Sequence, residues 1–294
     1  MKIMHNNGVI SLLFRSHTEP LFKKLRRTII ILIIYSTIVV LTEVFYEDFF
    51  TKIQLTNLGQ FHLIFSFVIS VLIAFRVNNS YARWWEARGL WGQLVNNSRN
   101  LAFKFHSFIN LNQDKEFQSY IRELPKLLAA HLHQDLAKSK DILTNLHIPF
   151  TEINRHPNLV ISKIYQIINN YRNTNRISLE QFLALDHHIA SIVDVVGGCE
   201  KIANTPVPST FKAFVKHALF FYMIIFPFGW VDKFGLLIIP MIIVIVYVLS
   251  GLEALSEDLE EPFNKYKRGS QTNDLQLDKI ANNIEANIIN IANS

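Results

Sequence analysis

Phe67, Val71 and Phe75 recur every four residues within an uncharged run, so they lie on one stripe of one helix. Repeated in identical copies around an axis, that stripe becomes three stacked apolar rings. Such rings gate a pore by expelling water from the constriction. Packing against another helix or facing lipid are the other uses of such a stripe. Arg76 follows directly, where it either favours anions or pairs with a carboxylate. Eleven histidines raise a second chemistry, ligation of a metal or cofactor. His131-x-His133-x-Asp135 is the best candidate, but on a helix positions i and i+2 point to different sides; His187-His188 has the same difficulty. His62 lies inside an apolar run, as a functional ionisable group or as an imidazole hydrogen-bonded near the outer membrane interface. The acidic run from Glu253 to Glu261 reads as a solvated face near a membrane end or as a cation site. No phosphate-binding glycine loop, dinucleotide fingerprint or nucleophile elbow is present, and nothing supports nucleophilic catalysis.

The elements that must position these residues are apolar and long. Half of the 294 residues are hydrophobic, clustered in runs, and this clustering makes the chain a membrane protein. The net charge of +5 flanks those runs instead of forming the basic stripe of a nucleic-acid-binding domain. Four spans are expected at about 28–46, 58–76, 211–230 and 234–252, the second being about 27 Å of helix at about 1.5 Å per residue. Basic residues before the first span (Lys23, Lys24, Arg26, Arg27) and after the second (Arg76, Arg83, Arg88, Arg99) place both of those ends in the cytoplasm. Both termini are therefore expected inside, with 47–57 as an external loop. The basic N-terminal segment serves as a topology signal or as a contact with anionic lipid. The start lacks a secretory cleavage pattern, so the first run is expected to remain in the mature chain.

Residues 77–205 contain no expected span and read as a cytoplasmic helical bundle continuous with the membrane helices. Amphipathic helices are expected at 117–137, 159–171 and 179–196, with a loop at 145–157 stopped by His156-Pro157 and a turn at 173–178. Gly197-Gly198 is expected to break the last of these, and Pro206 and Pro208 to force an extended turn. A tight external turn containing Asp232 and Lys233 should join the last two spans. In the tail, 253–294, Leu277, Ile280, Ile284, Ile288 and Ile291 form an amphipathic stripe that needs a docking partner, in its own or a neighbouring subunit. The single cysteine, Cys199, excludes a disulfide within the chain.

The run Phe75-Arg-x-Asn-x-Ser-Tyr81-x-Arg83-Trp84-Trp85-Glu86-Ala87-Arg88-x-x-Trp91-Gly92 resembles the signature of bacterial bestrophin-like proteins. Three further blocks agree and fall in order: Gly198-Cys199-Glu200-Lys201-Ile202-x-x-Thr205-Pro206-Val207-Pro208; Phe226-Pro227-Phe228-Gly229, followed after a span by Leu259-Glu260-Glu261-Pro262-Phe263; and Asn273-Asp274-Leu275-x-Leu277-Asp278. The resemblance implies an all-α membrane protein, one bestrophin-like domain over 1–294, with four transmembrane helices and a cytoplasmic helical bundle extending the pore. It implies a homopentameric ion channel with one pore on the fivefold axis, in the bacterial inner membrane. The implied partners are other copies of the chain, membrane lipid and permeant monovalent ions, with no nucleic acid and no cofactor.

The same resemblance puts the membrane neck of the pore at Phe67, Val71 and Phe75, where animal members often carry Ile or Phe. It makes Val207, between Pro206 and Pro208, a second, cytoplasmic constriction; the residues alone read Val207 as packing in a turn. Arg83, Trp84, Trp85, Glu86, Pro206 and Pro208 belong to the structural signature. Animal members have a dense carboxylate cluster after Pro-Phe that clasps calcium. Here Pro262-Phe263 is followed by Asn264-Lys-Tyr-Lys-Arg268, whose cations argue against calcium activation. Animal members conduct chloride and bacterial relatives can favour monovalent cations, so the sign of the ion stays open. The rival readings are a membrane protein that ligates a metal or cofactor through its histidines, and a non-conducting oligomer.

Overall fold

The structure, a computed structural model, describes residues 20–46, 58–150, 156–263 and 275–294. Most of the basic N-terminal segment, the expected external loop at 47–57, the basic stretch after Phe263 and the Asn273-Asp274 pair lie outside the described residues. Every regular element among the described residues is helical: α1 (Pro20–Phe45), α2 (Leu58–Ile109), α3 (Lys115–Leu132), α4 (Leu136–Asn145), α5 (His156–Asn173), α6 (Leu179–Asn204), α7 (Ser209–Phe234), α8 (Ile238–Glu260) and α9 (Leu277–Ala292). The chain falls into two compact units, divided among the described residues at Ala82/Arg83, Pro206/Val207 and Glu260/Glu261. By length and composition, the described stretches apolar enough to cross a membrane are Leu58–Ile109, Leu179–Asn204 and Ser209–Glu260.

The first unit packs α1, the first half of α2, α7 and α8 around an aliphatic core. Ile29, Leu32 and Val40 of α1, Ile69 and Ile73 of α2, Val215 and Leu219 of α7, and Ile242 and Val246 of α8 all belong to it. At one point α2 and α7 meet backbone to backbone. A Cβ on Gly229 would lie 2.8 Å from the Gly59 nitrogen, and one on Gly59 would lie 2.5 Å from the Gly229 oxygen. Two small residues facing each other let membrane helices approach this closely. The glycine of Phe226-Pro227-Phe228-Gly229 thus has a packing reason. The turn after α7 is the 3-10 segment Gly235–Leu237, with Gly235 at φ +50°. Asp232 and Lys233, expected in that turn, are the last polar residues of α7 itself, because Gly235 is where the backbone can turn left-handed.

The second unit wraps the polar half of α2 with α3 to α6 and α9. Trp91, Leu94, Leu101 and Phe105 of α2 are fully buried in its core, and Phe105 stacks on Phe117 of α3. Three expected boundaries move. The expected helix over 117–137 ends at Leu132, where Gln134 turns left-handed (φ 56°) and Asp135 caps α4 by accepting from the Lys138 N–H. His156-Pro157 opens α5 instead of stopping a helix, as proline at a first turn does. Helix α6 also runs through Gly197-Gly198 to Asn204. Gly198 does not break it; a Cβ there would sit 2.9 Å from a Leu90 methyl of α2, so the glycine serves close helix packing. The capping box at Ser178 and Gln181 fixes the start of α6 where the turn was expected.

The tail stripe docks on its own chain. Leu277, Ile284, Ile288 and Ile291 of α9 are buried, and Glu285 bridges Arg122 (2.7 Å) and Lys126 (2.8 Å) of α3. Burial pushes the Glu285 carboxyl up, but hydrogen bonds from Lys126 and Arg122 win and hold it below the usual carboxylate range. A carboxyl lowered on folding stabilises above its unfolded pKa of about 4.3, and that contribution is lost as pH falls through the folded value. Amide protection factors of α9, exchange rates referred to the intrinsic rate at each pH, should therefore fall below about pH 4, and Glu285→Gln should show little of that acid step. Gly229→Val should cost at least about 1–3 kcal/mol by overpacking, read as a lower melting temperature of the detergent-solubilised protein.

Candidate functional site

In the first unit the two faces of α2 differ sharply. His62, Ile69, Ile73, Arg76 and Ser80, on one side of the helix, are all nearly inaccessible. Phe67, Val71 and Phe75 lie on the other side, and are 73%, 39% and 63% exposed. The stripe is therefore not consumed in packing against another described helix of the same chain. What remains for it is lipid, a second copy or the wall of a pore.

Arg76 sits on the packed face, immediately after the stripe, and its side chain is 1% exposed. Its Nε donates to Glu253 of α8, and its Nη1 lies 2.9 Å from Glu260 Oε1. Glu260 Oε2 is 2.7 Å from Lys212 Nζ of α7, and Lys216 pairs with Glu257. The acidic run is thus not a solvated face: Glu253 and Glu260 are buried and neutralised by Arg76 and Lys212. Sequence reasoning missed this network although its signal is present. Glu253, Glu257 and Glu260 share one face of a helix, and Lys212 and Lys216 share one face of its antiparallel neighbour. Of the two roles open to Arg76, the geometry shows the carboxylate-paired one.

In the second unit, two signature blocks more than a hundred residues apart in the chain meet as a clamp. Arg83 of α2 donates through Nη2 to the Ile202 carbonyl, in the last turn of α6. Glu86, one turn further along α2, pairs with Lys201 at 2.9 Å. The last carbonyls of a helix have no partner within it, and a cation there also opposes the negative end of the helix dipole. Trp91 is fully buried, Trp84 is half-buried and Trp85 is 59% exposed, the two adjacent rings lying 6.2 Å apart. Beyond the clamp, Thr205 to Pro208 are non-helical, and Val207 is half-buried between the exposed prolines Pro206 and Pro208. The expected extended turn is present.

The candidate histidines are each engaged by protein. His62 stacks on Tyr222 (4.1 Å between ring centroids) and accepts from the Trp230 indole at 3.4 Å. His131 lies 3.2 Å from Glu200, and His188 Nδ1 is 3.0 Å from Asn97 Oδ1. His133 caps the C-terminus of α3, while Asp135 caps α4. Those three residues of the His-x-His-x-Asp run thus take different structural roles. Among the described residues no group of three or more His, Cys, Asp and Glu side chains is placed to hold a metal ion.

The sequence model of the family described as "Bacterial/Fungal Bestrophin protein" matches residues 1–290. A protein of Nostoc named voltage-dependent anion channel-forming protein is 29% identical over 232 residues, 76% of this chain and 74% of that one. A protein of Escherichia coli K12 with the same descriptive name is 29% identical over 231 residues, covering 75% and 72%. A bacterial bestrophin homologue from Klebsiella pneumoniae, solved as a single-residue variant, superposes with a TM-score of 0.79 at 23% identity over 92% of this chain and all of that one. A second structure of that homologue gives 0.76 at 22% identity, covering 90% and 97%. At such identities the likeness shows the fold.

Removing Arg76 leaves two buried carboxylates short of a cation. Arg76→Gln should destabilise the first unit by about 3–5 kcal/mol, and Glu253→Gln added to it should recover part of the loss. Melting temperatures of the two detergent-solubilised variants, compared with the parent, check this.

Proposed function

The chain belongs to the bacterial and fungal bestrophin family, and from that premise we propose that it is a passive ion channel assembled as a homopentamer around one pore. Each subunit contributes four membrane helices, at about 28–46, 58–76, 211–230 and 234–252, with both termini on the cytoplasmic side of a bacterial inner membrane. Lipid surrounds the outer helices, and monovalent ions pass along the axis. The observation that carries this reading is the exposed apolar stripe of Phe67, Val71 and Phe75 on α2, opposite a face packed by the chain's own core. The names of the relatives, which describe anion channel formation, support conduction as the activity.

In this reading five copies of the stripe make the neck, three apolar rings whose dehydration barrier sets conductance. Val207, held in the non-helical Pro206-Val207-Pro208 segment, makes the cytoplasmic constriction. Arg83 and Glu86 act on it indirectly, by fixing the end of the helix from which that segment departs. Arg76 does not act as a free cation at the neck, because Glu253 and Glu260 balance it. The sign of the permeant ion follows from the remaining dipoles and charges along the axis.

Planar-bilayer recording of the purified protein under asymmetric NaCl should show discrete currents, and the reversal potential gives the ion, near the chloride value for an anion channel and near the sodium value for a cation channel. Val71→Ala and Val207→Ala should change unitary conductance or open probability. Unchanged currents in both variants would remove the pore assignment; no current from intact oligomer would remove the channel reading itself.

A further inference from the structure

In the second unit, a cleft of about 560 Å³ opens between the α3–α4 turn and the last two turns of α6. Its polar lining is His131, Gln134, Asp135, Ser139, Glu200 and Asn204. Alanine and leucine side chains, Ala130, Leu132 and Ala203 among them, form the rest of its wall. The volume falls within the ordinary range of small-molecule sites, about 300–1,000 Å³. None of the lining residues takes part in the stripe, the buried charge network or the clamp.

Three observations define its chemistry. Two carboxylates line it, Asp135 from the start of α4 and Glu200 from α6, and among the described residues no lysine or arginine does. Two cations near the lining in sequence are held elsewhere: Lys138 Nζ is 2.8 Å from Asp278, and Lys201 Nζ is 2.9 Å from Glu86. Ser139 is 1% exposed and lines the cleft, yet its hydroxyl has no hydrogen-bond partner among the described residues. A buried hydroxyl without a partner is costly, and a ligand's donor or acceptor would recover that cost. His131 lies against Glu200 at 3.2 Å and holds that carboxylate in place.

We propose that this cleft binds a small aliphatic amine in its ammonium form, and most favourably a short diamine. An ammonium group has three donors and no acceptor. Carboxylate, amide oxygen and hydroxyl are the acceptors that such a group needs, and hydrogen bonds from a cation to carboxylate are the strong kind. A methylene chain fits the alanine and leucine wall, and two carboxylates on different elements match two ammonium ends. An anionic or phosphorylated ligand would meet the Asp135 and Glu200 carboxylates. The site stands on this lining alone and does not depend on the chain conducting ions.

The test is isothermal titration of the purified full-length protein with putrescine at low ionic strength, with 1,4-butanediol as the neutral molecule of the same length. Saturable putrescine binding is expected, weakened at least tenfold in Glu200→Gln and several-fold in Ser139→Ala, with no measurable butanediol binding. Circular dichroism and melting of each variant confirm that it remains folded, and Ser139→Ala, a small truncation, serves should Glu200→Gln unfold. No saturable binding overturns the proposal. So does putrescine binding that is unchanged in both variants, which would place the amine elsewhere, or butanediol binding of equal strength.

Discussion

Burying a guanidinium on the packed face of an apolar helix costs several kcal/mol unless carboxylates meet it with good geometry. Arg76 imposes that constraint on the first unit. Once Arg76 faces α8, where Glu253 and Glu260 receive it, the rotation of α2 about its own axis is set. Phe67, Val71 and Phe75 are then turned away by helical periodicity alone. Lys212 supplies the second positive charge, so two cations face two carboxylates and the cluster is neutral. In the proposed channel, an apolar stripe with no charge of its own, next to a neutralised arginine, would suit a barrier made by dehydration better than one made by attraction.

The second unit relies on backbone satisfaction more than on charge. Helix α6 ends in carbonyls that have no partner of their own, and Arg83 reaches across from α2 to serve one of them. Glu86 adds an ion pair with Lys201 that is largely exposed and contributes little by itself, about 0–1 kcal/mol. Its position matters more than its strength, because it repeats the Arg83 contact one turn away. Leu90 and Gly198 close the same interface by shape. A tryptophan-flanked arginine and a Gly-Cys-Glu-Lys-Ile run are thus two halves of one contact.

Much of this was legible beforehand, and what was missed has a physical pattern. Long apolar runs, the stripe at 67, 71 and 75, the amphipathic tail and the proline turn at 206–208 are local signals, and each fell where periodicity or proline put it. The boundary errors at Leu132, His156 and Gly235 are local, a matter of caps and left-handed turns; the larger errors concern residues whose meaning depends on a distant neighbour. Gly197-Gly198 looks like a helix breaker until Leu90 fills the space beside it. Glu253 and Glu260 look solvated until Arg76 and Lys212 arrive from two other helices. Of the cleft beside Glu200 only His131 and Asp135 stood out in the sequence, since its walls come from segments far apart in the chain.

Helix α6 shows how far hydropathy can mislead when it is used without packing. It is apolar and long enough to be counted with the membrane stretches. Yet it also carries Glu180, Asp186, Asp194, Glu200 and Lys201, a density of charge that lipid would penalise heavily. Asp186 receives the Tyr165 hydroxyl at 3.0 Å, and Lys201 meets Glu86. Leu185, Ile189, Ile192, Val195 and Val196 are buried against the helices of the second unit. An apolar helix that satisfies its charges on neighbours and buries its aliphatic face in a protein core has no need of a bilayer. By contrast α1, the first half of α2, α7 and α8 are all members of the one unit that holds the stripe.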